Sequence, residues 1–305
     1  MNSNSIALNI AGMTIVVPAS LNLPDSYKPF MVNDAGMGDS CPDNVICRME
    51  PGSTDEASTD VLLESCSFGD SEKLSVFGCR DGRFISEVTF LNKATGSIVE
   101  FRTVASKDWK YVVIDKKCCN GNCPAPVADK LVMMAFVYSA ARHNTVLLHS
   151  SCVKTDKGGM AFIGFSGDGK STHSQVWIKS FEGVSLLNDD QPAVRITGNG
   201  EVRIYGTPWS GKTPCYVQDS ARLLGFARMV KAPFNRVTPY SPVFLFKELM
   251  EACSLMKKDK ESMRIIMSTL SGIAAAVPGF KLENRPEREA AVMLARHIEG
   301  FNDIM

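Results

Sequence analysis

The chain has 305 residues, enough for one or two domains, and its apolar and charged fractions are those of an ordinary globular protein. Its 33 Lys and Arg balance 33 Asp and Glu, so nothing favours the basic face that a nucleic acid requires. No stretch reaches the ~18 apolar residues of a membrane span. The N-terminus lacks the basic region and unbroken apolar core of a signal peptide, so the expected location is cytoplasmic. In that compartment the ten cysteines are expected as thiols rather than disulfides.

Residues 1–120 read as a β-rich lobe. Residues 5–10 and 13–17 are apolar runs on either side of Ala11-Gly12, the pattern of a hairpin. Residues 21–60 are rich in Pro, Gly, Asp and Ser and suggest long loops with one strand at 45–49. Strand-like runs follow at 73–77, 83–91, 97–104 and 111–114, separated by the turn signals Asp81-Gly82 and Lys93-Ala-Thr-Gly96. That spacing predicts an antiparallel meander. No motif here carries chemistry. The lobe is read as a scaffold or an oligomerisation surface, which leaves room for a homo-oligomer; a substrate-contacting lobe is the alternative.

Residues 115–126 read as a linker, and a second domain is placed at 121–305. Cys118, Cys119 and Cys123 are half of a zinc set by residue type. No second pair stands near them with ligand spacing, and structural zinc takes four ligands, so free thiols are expected. Residues 127–141 lack Gly and Pro and are apolar at nearly every turn, which predicts a buried helix. Residues 145–153 are expected as one strand with His149 near its middle. A second short strand, 160–163, runs into Gly164-Phe-Ser-Gly-Asp-Gly-Lys-Ser171.

That stretch fits G-x-x-x-x-G-K-[ST], the Walker A pattern. Glycines such as Gly164, Gly167 and Gly169 let backbone N–H groups, including those of Ser166, Asp168 and Thr172, curl around phosphate oxygens. Lys170 then reaches the β- and γ-phosphates, and the Ser171 hydroxyl can join Mg²⁺. The helix expected at 171–180 points its positive dipole end at the phosphates. A chance match in a Gly-rich loop is the alternative, and the strand–loop–helix context speaks against it.

An apolar strand at 183–187 ends in Asn188-Asp189-Asp190. Two adjacent carboxylates one helix after such a loop can divide two tasks, one on a metal ion and one accepting a proton; a pair of solvated turn acids is the alternative. Residues 193–196 and 202–205 predict a hairpin around Gly198-Asn-Gly200. It leads into Gly206-Thr-Pro-Trp-Ser-Gly-Lys212, read either as a ligand-facing loop or as a turn with one buried Trp. Residues 223–230 are apolar, 241–257 and 261–274 helical, 279–282 a last strand and 287–298 a closing helix.

In order, His149 on its strand, the Walker A loop, Asn188-Asp189-Asp190 and the Gly206–Lys212 loop resemble the HPr kinase/phosphorylase superfamily. Its nucleotide fold is shared with ATP-dependent phosphoenolpyruvate carboxykinase. Lys170 and Asp189 stand nineteen residues apart, close to the HPr kinase layout, whereas in the carboxykinases that gap is much longer. The string looks most like a bacterial, carboxykinase-related branch of the superfamily, and the similarity covers about residues 127–240. The resemblance implies an α/β (α+β) fold: a carboxykinase-like P-loop nucleotide-binding core beside the β-rich N-terminal lobe. It implies ATP and Mg²⁺ as cofactors, Lys170 on the phosphates, Ser171 on the metal, Asp189 as general base, Asp190 on the metal or behind one of its ligands, and His149 close to the phosphates.

The expected activity is therefore ATP-dependent, Mg-assisted transfer of the γ-phosphate to a hydroxyl of a small molecule or protein. Arg195, Trp209, Ser210 and Lys212 are candidate contacts to that acceptor. The Thr-Pro-Trp-Ser-Gly-Lys loop replaces any recognisable HPr-docking segment, so HPr itself is not the expected acceptor. Two other readings stay open: a phosphoenolpyruvate carboxykinase-type enzyme, for which the chain is short, and a non-catalytic nucleotide-responsive regulatory module.

Overall fold

The computed structural model describes residues 5–32, 44–55, 61–68, 72–91, 96–121, 123–211, 213–253 and 258–298. It is a mixed α/β protein, rich in sheet and with few helices. The chain forms two compact units, Met1–Arg142 with Leu255–Arg264, and His143–Ser254 with Ile265–Met305. No helix among the described residues is long and apolar enough to cross a membrane.

The first unit is built on an eight-stranded sheet. Strands β1 (Ser5–Ile10) and β2 (Met13–Pro18) form the expected hairpin. Ala11 and Gly12 both take positive φ, 53° and 72°, the conformation of a tight two-residue turn. The meander is also present, as β4 (Val61–Phe68), β5 (Glu72–Gly78), β6 (Phe84–Leu91), β7 (Ile98–Ala105) and β8 (Tyr111–Asp115). Strand β3 (Val45–Gly52) lies parallel to both β2 and β8, giving the order β1-β2-β3-β8-β7-β6-β5-β4. Part of the expected turn, 92–95, lies outside the described residues.

Three sequence expectations for this unit are corrected. Strand β4 was not foreseen: it sits at the sheet edge, so burial imposes no clean alternation on it. A 3-10 turn at Asp25–Phe30 buries Tyr27 and Phe30 where only loop was expected. The unit also ends at Arg142 rather than near residue 120. The reason is helix α1 (Ala125–Ala141), which packs on β3, β6 and β7 and is buried on nearly every side. In addition the Tyr27 hydroxyl donates to Asp129 Oδ1 at 2.9 Å. Cys118 and Cys123 are buried, and the Cys123 thiol donates to Pro124 O at 3.7 Å. No cluster of His, Cys, Asp or Glu suited to a metal occurs among the described residues.

The second unit has a nine-stranded sheet: β9 (Thr145–Leu147), β10 (Ser150–Lys154), β11 (Gly159–Ile163), β12 (Ser185–Asp190), β13 (Ala193–Ile196), β14 (Val202–Tyr205), β15 (Ser220–Lys231), β16 (Arg236–Pro239) and β17 (Gly279–Asn284). The path runs β12-β10-β11-β15-β14-β13-β9, with β17 also on β15 and β16 on β17. The twelve-residue β15 joins two halves. Its first residues pair antiparallel with β14; the rest run parallel to β11 and then to β17. The helices are α2 (Lys170–Ser180), α3 (Pro242–Ala252), α4 (Lys260–Ala276), whose first residues belong to the first unit, and α5 (Arg288–Ala295). Residues 254–257, the end of one expected helix, lie outside the described residues. Strand β16 was missed: four residues ending in Pro at a sheet edge give little periodic signal.

The strand expected over 145–153 is broken. Strand β9 pairs with β13, while β10 pairs with β11 and β12. Between them the backbone N–H of Leu148 donates to Pro192 O and that of His149 to Ala252 O, at 3.2 and 2.7 Å. His149 thus stands at a corner, not inside a ladder.

The core beneath the sheet collects Phe162 of β11, Trp177 of α2, Ala227 and Met229 of β15, Leu282 of β17 and Leu294 of α5. Within it His173 is fully buried and its Nε2 accepts from the Trp177 indole at 3.1 Å. Burial pushes the His173 pKa down from 6.5 to about 4. The unfolded chain takes up this proton below about pH 6.5, and the native state only near pH 4. The contribution of His173 is therefore complete above pH 6.5 and fades as pH falls towards 4, by about 3 kcal/mol in all. Urea unfolding at pH 7.5 and at pH 4.5 is expected to show a smaller loss of stability for His173→Gln than for the native chain. Equal losses would show that His173 is not held neutral.

Candidate functional site

The Gly-rich loop joins β11 to α2, the strand–loop–helix order read in the sequence. Gly169 is the residue before the helix and takes φ 96°, which a side chain would resist. Asp168 closes the loop on itself, its Oδ2 accepting from the Phe165 backbone N–H at 2.8 Å. The same oxygen accepts from Arg228 Nη1 at 2.6 Å. Burial would raise the Asp168 carboxyl, but Arg228 and the Phe165 N–H outweigh it and hold the group below its usual range. Asp168 is thus a brace of the loop, and phosphate binding would fall to backbone groups and Lys170.

Lys170 is largely buried, 9% exposed, and lines the cavity described below. Its Nζ donates to Gly164 O at 2.9 Å and Phe165 O at 3.1 Å, and lies 3.0 Å from His149 Nε2. Desolvation lowers its pKa, against the pull of Asp168, Asp190 and Asp189. His149 Nδ1 lies 2.9 Å from Asp190 Oδ1. With Nε2 accepting from an ammonium, the ring's own proton sits on Nδ1 and is donated to Asp190. The result is a continuous chain, Asp190–His149–Lys170, across the loop.

The acidic pair closes its strand, as read in the sequence, and forms the last two residues of β12. Antiparallel pairing sets Asp189 opposite Ser151 and Asp190 opposite Ser150. Ser151 in turn shares a 2.6 Å hydrogen bond with Ser174 of α2, so the acids and the loop helix hang from the same strand. Asp189 is 4% exposed, which removes the solvated-turn alternative for it. Its carboxylate makes no hydrogen bond or ion pair to the described residues.

Asn188 fixes this end of β12. Its Nδ2 donates to Thr207 O, Thr207 Oγ1 and Trp209 O, and its Oδ1 accepts from the N–H groups of Asp190 and Gln191. Gly211 N–H donates to Asp189 O at 2.8 Å, and a Cβ at Gly211 would come within 2.9 Å of that oxygen. Residues 206–211 are thereby fastened behind the acids. Trp209 is buried as part of that fastening, and Ser210 Oγ donates to Thr213 O. Arg195 lies on β13 opposite Thr145. Neither Arg195 nor Trp209 lines the cavity described next, and Lys212 lies outside the described residues.

A cavity of about 360 Å³ opens on this array. Its walls include His149, Ser166, Lys170, Ser171, Asp189 and Asp190, with Gly167, Gly169 and Thr172 at the loop. Two residues were missed by sequence reasoning. Arg228 lies between Ala227 and Met229, which face the core; alternation turns it to the other face, where its Nε meets Glu248 of α3 at 2.9 Å. A lone Arg inside the apolar run 223–230 was the available signal, since a charge there needs partners. Asn188 gave no signal, because its partners are nineteen and twenty-one residues away.

Fold and site together define a mixed α/β protein with a Gly-rich strand–loop–helix, a buried loop lysine and a carboxylate pair facing one cavity. No protein-family model matches the chain and no curated protein matches it. Among solved structures it is similar to the Hpr(Ser) kinase/phosphatase from Coxiella burnetii, at 14% identity over 48% of this chain and 85% of that one, with a TM-score of 0.29. That protein is a weak structural neighbour, and a likeness at this level carries no argument of its own.

Proposed function

We propose that the chain is an ATP-dependent kinase that passes the γ-phosphate to a hydroxyl. The observation that supports this is the convergence of Lys170, Ser171, Asp189 and Asp190 on one cavity at the N-terminus of α2. The donors offered there, the Ser171 hydroxyl and the Asp189 and Asp190 carboxylates, are all oxygen, the ligand type that Mg²⁺ takes. Ser171 and Asp190 would hold the metal, which supplies charge neutralisation on the phosphates. Lys170 and the loop N–H groups would take up charge on the phosphoryl oxygens. His149 holds Lys170 and Asp190 in register through its two ring nitrogens. Asp189, buried and with no hydrogen bond to the described residues, would take the proton from the attacking hydroxyl.

Calorimetry with Mg-ATP tests the nucleotide half of this reading. Lys170→Ala is expected to lose about 10- to 100-fold in affinity, the worth of a charge-assisted contact of ~1.5–3 kcal/mol. Thermal unfolding run in parallel shows whether the loop survives the loss of the bonds to Gly164 and Phe165. A folded variant that binds as tightly as the native chain, or a native chain that does not bind at all, rejects the assignment.

A further inference from the structure

A second cavity, about 240 Å³, adjoins the first. The two share His149 and Ser166 as common wall, and the second is otherwise lined by Phe165, Arg228, Glu248 and Glu251, among others. Both lie within the second unit. If the inner phosphates rest on the N–H groups at Gly169–Thr172, the terminal phosphate points to the opposite end of the loop, over Ser166 and His149. That is where the second cavity begins.

The charges of its walls can be summed. Arg228 is engaged by two carboxylates, Asp168 at 2.6 Å and Glu248 at 2.9 Å. Glu248 also accepts from the Tyr240 hydroxyl at 3.4 Å. Glu251 adds a second wall carboxylate, exposed and with no hydrogen bond or ion pair to the described residues. It is held near His149 because the next residue, Ala252, accepts from the His149 N–H at 2.7 Å. Among the residues that line the cavity, one guanidinium stands against two carboxylates, Glu248 and Glu251, which leaves an anionic wall. Phe165 is 61% exposed. Arg228 lies over its ring, 4.7 Å from the centroid, and the exposed remainder of the ring can take a second cation.

We propose that this cavity is the acceptor site, and that the acceptor is a small cationic alcohol, an amino alcohol or amino sugar. Its ammonium would pair with Glu251 and its hydroxyl would face His149 and Ser166. This rests on the kinase reading. An anionic acceptor would meet like charge, and the volume lies below the ~300–1,000 Å³ of pockets for drug-sized ligands. The transfer balances as written. The hydroxyl oxygen bonds to the γ-phosphorus, the β–γ bridging bond breaks to release ADP, and the hydroxyl proton goes to Asp189.

The test is ligand-observed NMR saturation transfer on the whole chain, with Mg²⁺ and a non-hydrolysable ATP analogue present. The probes are ethanolamine, glucosamine, glucose and glycerate. The amines are expected to bind, glucose more weakly, and glycerate not at all. Glu251→Gln should weaken glucosamine at least tenfold, and Glu251→Lys should abolish its signal while leaving the fold intact by circular dichroism. Tighter binding of glycerate than of glucosamine overturns the proposal. So does undiminished glucosamine binding by a folded Glu251→Lys, silence of both amines at millimolar concentration, or displacement of glucosamine by adenosine. Glu251-dependent amine binding by a chain that does not bind the ATP analogue leaves the pocket standing and rejects the kinase reading instead.

Discussion

If the chain is the kinase proposed above, Asp189→Asn is expected to slow phosphotransfer by about 10²- to 10⁴-fold, the usual cost of a lost general base. Asparagine matches aspartate in shape, so the packing around this 4%-exposed side chain should persist. Nucleotide affinity should change little, because a base that acts on the acceptor is not a ground-state phosphate contact. Asp190 cannot readily substitute, as its Oδ1 is already engaged by His149 Nδ1 at 2.9 Å. Asp190→Asn should instead raise the Mg²⁺ concentration needed for half-maximal rate. The measurement is ADP release in the presence of acceptor, with Mg²⁺ varied, beside ATP affinity by calorimetry. If both Asn variants turn over at the native rate, the proton-transfer role assigned to this pair is wrong.

Trp177→Ala is expected to cost about 3–5 kcal/mol of stability, as for other fully buried aromatic side chains cut back to a methyl group. Trp177 has no exposed surface and meets Phe162 and Phe181 edge-on at 5.6 and 5.2 Å between centroids. Its indole also supplies the donor for His173 Nε2, which the truncation would leave buried and unsatisfied. Trp177→Phe keeps most of the packing and loses the donor, so it should fall between. Denaturant unfolding followed by far-ultraviolet circular dichroism measures both. A cost below about 1 kcal/mol for the alanine variant would mean that α2 is not anchored through this residue.

Much of the frame was legible because it is local. The Ala11-Gly12 turn, helix α1 and the strand–loop–helix around Lys170 each follow from residues within one or two turns of each other. What failed was set by distant partners. The break at Leu148-His149 depends on Pro192 and Ala252, and nothing between 145 and 153 announces it. Trp209 looked like a ligand contact because a large aromatic beside Gly and Pro suits an exposed loop; it is buried because Asn188 holds its carbonyl. Arg228 could have been flagged as a charge in an apolar run, but its partners Asp168 and Glu248 lie sixty and twenty residues away. Spacing placed the acids and the lysine near each other in sequence, and β10 brings them to one cavity by pairing with β11 on one side and β12 on the other.

Strand β15 sets the order in which this unit can be made. Strand β11 finds its parallel neighbour only when Phe162 meets Ala227, and β15 is flanked on its other side only when Phe226 meets Gly279. During synthesis the Gly-rich loop therefore emerges long before the strand that stiffens it. Pairings of such high sequence separation are slow to close, and until they do β11 presents an unsatisfied edge of five residues. A nascent chain stalled before residue 223 would carry every side chain of the phosphate loop on a strand with one side open, an aggregation hazard rather than half an enzyme.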